Sequence, residues 1–280
     1  MKIRSTHKCF GGTVAFISHW SPSTQCDMNF SIFVPGGRGP FPALTFLSGL
    51  TCTDENFMVK SGAQRLAAEK RFILINPDTS PRECGIKRED DDWDFGTGAG
   101  FYVNSTRIPW KRHYNMYDYV VKDLQAMLHK NFPAKNGCQG IFGHSMGGHG
   151  ALTIGLKHPE IYKSISAFSP ISAPMDSPWG QKAFTSYLGE DRRAWREYDA
   201  SRVIAGIENA KKCPEILVDQ GMADEWLEKE LKVETLEAGA KKSGYPLNLR
   251  YHEGYDHGYY FIQSFMFDHF EHHEKILMEK

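Results

Sequence analysis

The sequence lacks the features that mark several classes of protein. No apolar run approaches the roughly 20 residues of a membrane-spanning helix, and the 33 Lys and Arg nearly balance the 34 Asp and Glu among 280 residues. The basic residues are scattered and the net charge is −1, so no positive patch is available for nucleic acid or an anionic membrane surface. The polar segment 1–10 does not look like a leader. We expect a cytoplasmic protein without nucleic-acid or membrane partners.

Cysteine pairs and linkers are also missing. Six cysteines are spread along the chain without a Cys-x-x-Cys motif, and a chain of this length buries a core without disulfide bonds. We therefore expect reduced thiols. No Pro/Gly/Ser-rich linker, charge run or repeat divides the sequence, so residues 1–280 are predicted to form a single domain.

Short apolar runs alternate with helix-like segments. The runs predicted as strands are 30–34, 43–47, 72–76, 139–142, 164–168, 215–219 and 247–251. The segments predicted as helices are 117–131, 145–157, 225–242 and 260–278. This alternation predicts a mostly parallel central sheet with helices on both faces, an α/β fold. Segment 78–112 fits neither pattern, and we expect it to be an ordered loop near a functional site.

One glycine-rich motif lies between a predicted strand and a predicted helix. The strand 139–142 runs into Gly143-His-Ser145-Met-Gly147. A nucleophilic serine of the α/β-hydrolase fold lies on such a sharp turn, where small residues two positions before and after it let strand and helix pass closely. The motif predicts Ser145 as a nucleophile and an α/β-hydrolase fold for the domain.

A serine nucleophile needs a base and an acid that orients the base. In this fold the order along the chain is serine, acid, histidine. His257 follows the predicted strand 247–251, and the carboxyl ends of strands are where sites form in α/β sheets. Asp224 follows the strand 215–219 and is our candidate acid; Asp219, at the end of that strand, is the alternative.

The oxyanion hole of this fold uses two backbone amides. One belongs to the residue after the nucleophile, here Met146, and the other to the loop after strand 43–47, where Leu50 is the candidate. Each such donor contributes roughly 3 kcal/mol to transition-state stabilisation.

Three histidines near the end of the chain have helical spacing. His269, His272 and His273 lack a complementary set of cysteines or carboxylates, so we interpret them as a solvated helix face rather than a metal site. No metal or cofactor is expected.

Six separate motifs resemble the S-formylglutathione hydrolase family, also called esterase D. They are residues 47–57 (LSGLTCTDENF), 77–82 (PDTSPR), 98–102 (GAGFY), 114–119 (YNMYDY), 143–152 (GHSMGGHGAL) and 254–262 (GYDHGYYFI). They occur in the family's order and span nearly the whole chain. Two positions depart from the family pattern: Gly258, where serine is usual, and Trp226, where a smaller aromatic residue is common.

The resemblance implies a cytoplasmic, cofactor-free thioesterase that releases formate and glutathione in formaldehyde detoxification, usually as a homodimer. Its triad would be Ser145, Asp224 and His257. The family's sensitivity to thiol reagents implies that Cys52 lies near the site, and Trp179 matches a segment that helps to wall the pocket.

Two other interpretations use the same residues. A general carboxylesterase or sugar-ester deacetylase would apply the same triad to an oxygen ester. A non-catalytic binding protein of this fold would be expected to have lost a triad residue, whereas this chain has all three.

Overall fold

The computed structural model describes residues 1–278 and has a twisted sheet of nine strands at its centre. The strands are β1 (Lys2–Cys9), β2 (Gly12–Ser21), β3 (Cys26–Val34), β4 (Phe41–Leu47), β5 (Ile73–Pro77), β6 (Ala134–His144), β7 (Tyr162–Phe168), β8 (Ile216–Gly221) and β9 (Leu247–His252). Their order in the sheet is β1-β2-β3-β5-β4-β6-β7-β8-β9. The pairs from β5 to β9 are parallel, and β1, β2 and β3 extend the sheet in antiparallel fashion. The predicted fold class is confirmed.

Helices cover both faces of this sheet. They are α1 (Asn56–Lys60), α2 (Ala63–Lys70), α3 (Met116–Asp118), α4 (Leu124–Asn131), α5 (Met146–Lys157), α6 (Pro178–Leu188), α7 (Arg192–Trp195), α8 (Ala200–Ile204), α9 (Val233–Ser243) and α10 (Tyr259–Met278). A π-helical segment, Tyr119–Asp123, joins α3 to α4. None of the helices in the described part is both long and apolar enough to span a membrane.

Alternate side chains of the central strands enter two separate hydrophobic cores. In β4, Ala43 and Leu47 belong to the core under α5, whereas Leu44 and Phe46 belong to the core under α10. Successive residues of a strand point to opposite faces, so a strand that is buried on both faces is predominantly apolar and does not alternate with polar residues. This is why β4 could be predicted as a central strand of a parallel sheet.

All seven predicted strands are confirmed, with ends shifted by a few residues. The first two strands were not predicted. β1 is a polar edge strand, exposed along nearly its whole length, and it is held by backbone pairing with β2 rather than by a local apolar pattern.

The predicted helix 225–242 is wrong in its first half. A π-helical segment, Leu227–Leu231, is followed by Lys232 with φ of 49°, and α9 begins only at Val233. A left-handed residue interrupts helical hydrogen bonding. Two residues before the interruption, Glu230 is buried and its carboxyl group accepts a hydrogen bond of 2.9 Å from the Trp179 amide.

The interpretation of the terminal histidines as a solvated helix face is also wrong. His269 and His273 are fully buried on the side of α10 that packs against the sheet. His269 contacts the Ser166 hydroxyl at 2.7 Å, and His273 contacts the Ser164 hydroxyl at 2.7 Å. Serine hydroxyls on β7 are therefore partners of the His269 and His273 rings. The helical spacing alone had suggested that these side chains face water.

Candidate active site

The predicted nucleophile lies on a strained turn between β6 and α5. Ser145 has φ of 58° and ψ of −121°, a conformation that costs a non-glycine residue of order 1–3 kcal/mol. A side chain on Gly143 would collide with the backbone of Gly147, and one on Gly147 would collide with that of Leu47. The two glycines are thus required sterically, as the motif predicted.

The turn is held by backbone hydrogen bonds to the end of β7 and to the segment that follows it. The Ser145 amide donates to the Phe168 carbonyl at 3.0 Å, and the Ser145 carbonyl accepts from Ile171 at 3.2 Å. These contacts fix the serine at the carboxyl end of the sheet, where the positive end of the α5 dipole lies.

The histidine and one of the two candidate acids are in direct contact. Nδ1 of His257 lies 2.5 Å from Oδ2 of Asp224, and the other carboxylate oxygen accepts from the Trp226 amide at 2.9 Å. The Asp224 side chain is fully buried. Such a carboxylate holds the imidazole in one tautomer and orientation, with Nε2 left for another partner.

The alternative acid has other partners. Asp219 pairs with Arg250 through two hydrogen bonds of 2.6 Å and contacts His269 at 3.2 Å. Burial alone would raise the pKa of the Asp219 carboxyl, but the hydrogen bonds from His269 and Arg250 hold it well below its ordinary value. Asp219 therefore belongs to a buried ion pair and not to the His257 pair.

Several of the predicted site residues line one small cavity. It has a volume of about 140 Å³, and Ser145, His257, Leu50, Cys52 and Trp179 all line it. Pockets for drug-sized ligands measure roughly 300–1,000 Å³. This cavity is suited to a small group at the end of a larger molecule.

Two backbone amides beside Ser145 are free. Within residues 1–278 no protein acceptor takes the amide of Leu50 or of Met146, whereas the neighbouring amides of Thr51 and Cys52 donate to Gly98 and Gly49. Met146 is the first residue of α5, and amides in the first turn of a helix have no intrahelical acceptor. The two candidate oxyanion donors are thus available for a ligand.

Two of the motifs that resemble the family, 77–82 and 98–102, contact the loop that carries Leu50. Arg82 makes a two-pronged pair with Asp78 and donates to the Cys52 carbonyl at 3.1 Å. The buried Tyr102 hydroxyl donates to the Ser48 carbonyl at 2.9 Å. The loop that carries Leu50 is therefore clamped by the segment predicted to be ordered near the site.

Three tryptophans wall the cavity, and only Trp179 was predicted to do so. Trp179 lies 5.5 Å from Trp93 in a T-shaped arrangement and 4.6 Å from Trp226, measured between ring centroids. Trp93 is in the irregular segment 78–112 and has no motif of its own, so no signal in the sequence could assign it. Trp226, noted as a departure from the family pattern, contributes the third wall.

His144 is a second residue that the sequence did not single out. Its ring centroid lies 4.4 Å from that of His257, and burial lowers the pKa of His144 well below its ordinary value. A neutral ring at this position does not repel the positive charge that a catalytic histidine acquires. Its position within the motif 143–147 is the sequence signal from which its place in the site could have been predicted.

Fold and site together define a serine hydrolase of the α/β-hydrolase fold. The sequence model of the family described as "Putative esterase" matches residues 21–272. S-formylglutathione hydrolase from Mus musculus is 48% identical over 280 residues, covering 99% of each chain. The enzyme of that name from Arabidopsis thaliana is 48% identical, covering 96% of this chain and 95% of its own.

A solved structure agrees with these relatives. An S-formylglutathione hydrolase from Agrobacterium tumefaciens superposes with a TM-score of 0.95 at 45% identity, over 99% of this chain and 100% of that one. The chain belongs to the S-formylglutathione hydrolase family.

Proposed function

We propose that this protein hydrolyses S-formylglutathione to formate and glutathione through a triad of Ser145, His257 and Asp224. The observation that carries the proposal is that Ser145 and His257 line one small cavity while Asp224 holds His257 from behind at 2.5 Å. The names of the full-length relatives support the choice of substrate. From its family we also propose that the protein acts in formaldehyde detoxification, is located in the cytoplasm and forms a homodimer.

In the proposed reaction, His257 accepts the Ser145 proton as the hydroxyl oxygen attacks the thioester carbonyl. The free amides of Leu50 and Met146 stabilise the oxyanion of the tetrahedral intermediate. Glutathione thiolate then leaves and a formyl-enzyme remains. Since a thiol with a pKa near 8.5 is a good leaving group, acid assistance matters less here than for an amide. Water activated by His257 releases formate.

The size of the cavity predicts the acyl preference. We expect kcat/KM for S-formylglutathione to exceed that for S-acetylglutathione and S-lactoylglutathione by about 10- to 200-fold, because extra heavy atoms must fit into a small cavity walled by tryptophans. Each rate is divided by that of uncatalysed hydrolysis of the same thioester, which removes the greater intrinsic reactivity of the formyl group. Equal corrected rates would instead indicate a general esterase, for which an aryl acetate is the reference substrate.

Cys52 should affect access to the site without taking part in the chemistry. Burial raises the pKa of the Cys52 thiol, so little thiolate forms at neutral pH and the group is a poor nucleophile. A bulky thiol reagent should inactivate the wild type, faster as the pH rises, by filling the cavity. Cys52→Ser should keep most of its activity and resist the reagent, while Cys213→Ser, which changes another half-buried thiol, should remain sensitive. A folded but inactive Cys52→Ser protein would contradict this role.

A further inference from the structure

Three side chains of metal-ligating type meet where β3 begins, outside the cavity of the active site. Cys26 is the first residue of β3, Cys84 lies in the loop after β5, and His113 follows a short 3₁₀ turn. Their two Sγ atoms and a His113 ring nitrogen lie within 4.8 Å of one another. With Zn–S bonds of about 2.3 Å, ligand atoms of a tetrahedral zinc site are about 3.8 Å apart. Shifts of about 1 Å would close the set around an ion.

One ring nitrogen of the histidine already contacts a backbone carbonyl. Nδ1 of His113 lies 2.8 Å from the Thr24 carbonyl oxygen, which can only accept, so Nδ1 carries the hydrogen and the lone pair is on Nε2. Histidines that bind metals almost always donate their second nitrogen to a carbonyl or carboxylate in this way.

A buried acidic side chain next to the cluster has no cationic partner among the described residues. Glu89 is 3% exposed; one of its oxygens accepts from the Cys84 amide at 3.1 Å and the other from the Tyr114 hydroxyl at 2.9 Å. No Lys, Arg or His nitrogen in residues 1–278 lies within ion-pair distance of it. Buried charges in proteins are normally paired or bound to a metal, so this carboxylate favours a cation nearby.

We propose that Cys26, Cys84 and His113 bind one thiophilic divalent cation of the Zn²⁺ type, whose charge the two thiolates would balance, with Glu89 held next to the site by the Cys84 amide. Each thiol would release its proton to solvent, because the thiolate is the ligand. None of the three residues lines the active-site cavity, so the ion would act on structure. It would tie β3 to the segment 78–112 that carries Trp93.

The test is a titration of the reduced, chelator-treated full-length protein with Zn²⁺ in competition with a chromophoric chelator. We expect one ion per chain, and at least a tenfold weaker Kd in Cys84→Ser and in His113→Ala. Cys213→Ser and Cys52→Ser, which change thiols outside the cluster, should bind as the wild type does. Co²⁺ in place of Zn²⁺ should give a thiolate-to-metal absorption band that Cys84→Ser weakens.

A second measurement checks folding and the structural role. Zn²⁺ should raise the unfolding midpoint of the wild type, since a ligand that binds only the native state stabilises it, and the rise should be absent in Cys84→Ser and His113→Ala. Their midpoints in chelator establish that they are folded. Equal Zn²⁺ affinity in these variants, or affinity lost in Cys52→Ser, would overturn the proposal. So would reduced wild type that binds no Zn²⁺ and forms a Cys26–Cys84 disulfide in air.

Discussion

Replacing Ser145 with alanine should abolish turnover while leaving the protein folded. The substitution removes the attacking oxygen and keeps the Cβ atom, so the strained turn with φ of 58° and its backbone hydrogen bonds to Phe168 and Ile171 are preserved. Loss of the nucleophile in a triad enzyme costs about 10⁶-fold in kcat. The measurement is kcat with S-formylglutathione, together with the unfolding midpoint.

Ser169→Ala is a matched control. Ser169 is buried directly after the neighbouring strand β7, and its hydroxyl has no hydrogen-bond partner in residues 1–278. Removing this oxygen should leave kcat within a few-fold of wild type. A folded Ser145→Ala protein that retained more than roughly one per cent of wild-type activity would rule out Ser145 as the nucleophile.

Substitution by asparagine should lower kcat at one candidate acid and stability at the other. Asp224→Asn keeps the shape of the side chain but no longer favours the catalytic tautomer of His257, and the equivalent change in a triad protease lowers kcat by about 10⁴-fold. Asp219→Asn should cost far less in kcat. It should instead lower the unfolding midpoint, because it breaks the buried pair with Arg250 and His269. The reverse ranking of kcat would transfer the acid role to Asp219.

The pH dependence of stability provides a second readout for Asp219. A carboxyl whose pKa is lowered on folding stabilises the native state above its unfolded pKa, about 3.9 for aspartate, and the contribution is lost as the pH falls through the folded pKa. The stability difference between wild type and Asp219→Asn should therefore be constant above about pH 5 and shrink below about pH 4. Asp224→Asn serves as the comparison in the same denaturant titrations.

Much of the sheet could be predicted because its central strands are buried on both faces. A run such as 43–47 is apolar at every position except Thr45 for that reason, and all five residues are buried in the structure. Strand β1 could not be predicted, since its residues face water and only the backbone of β2 holds them. The break at Lys232 was also missed; it lies beside Glu230, whose contact with the Trp179 amide joins residues far apart in the chain.

The sequence by itself determined the serine turn, since Gly143 and Gly147 are needed wherever a nucleophile is placed between strand and helix. It also determined the family, through motifs spread along the whole chain. It left the choice between Asp224 and Asp219 open, because one follows strand β8, the other lies near its end, and spacing along the chain does not show which carboxylate reaches His257. Only the tertiary structure assigned Asp219 to Arg250, buried His269 and His273 against β7, and brought Trp93 to the cavity. Each of these depends on contacts between distant segments, and such contacts leave no periodicity or local motif in the sequence.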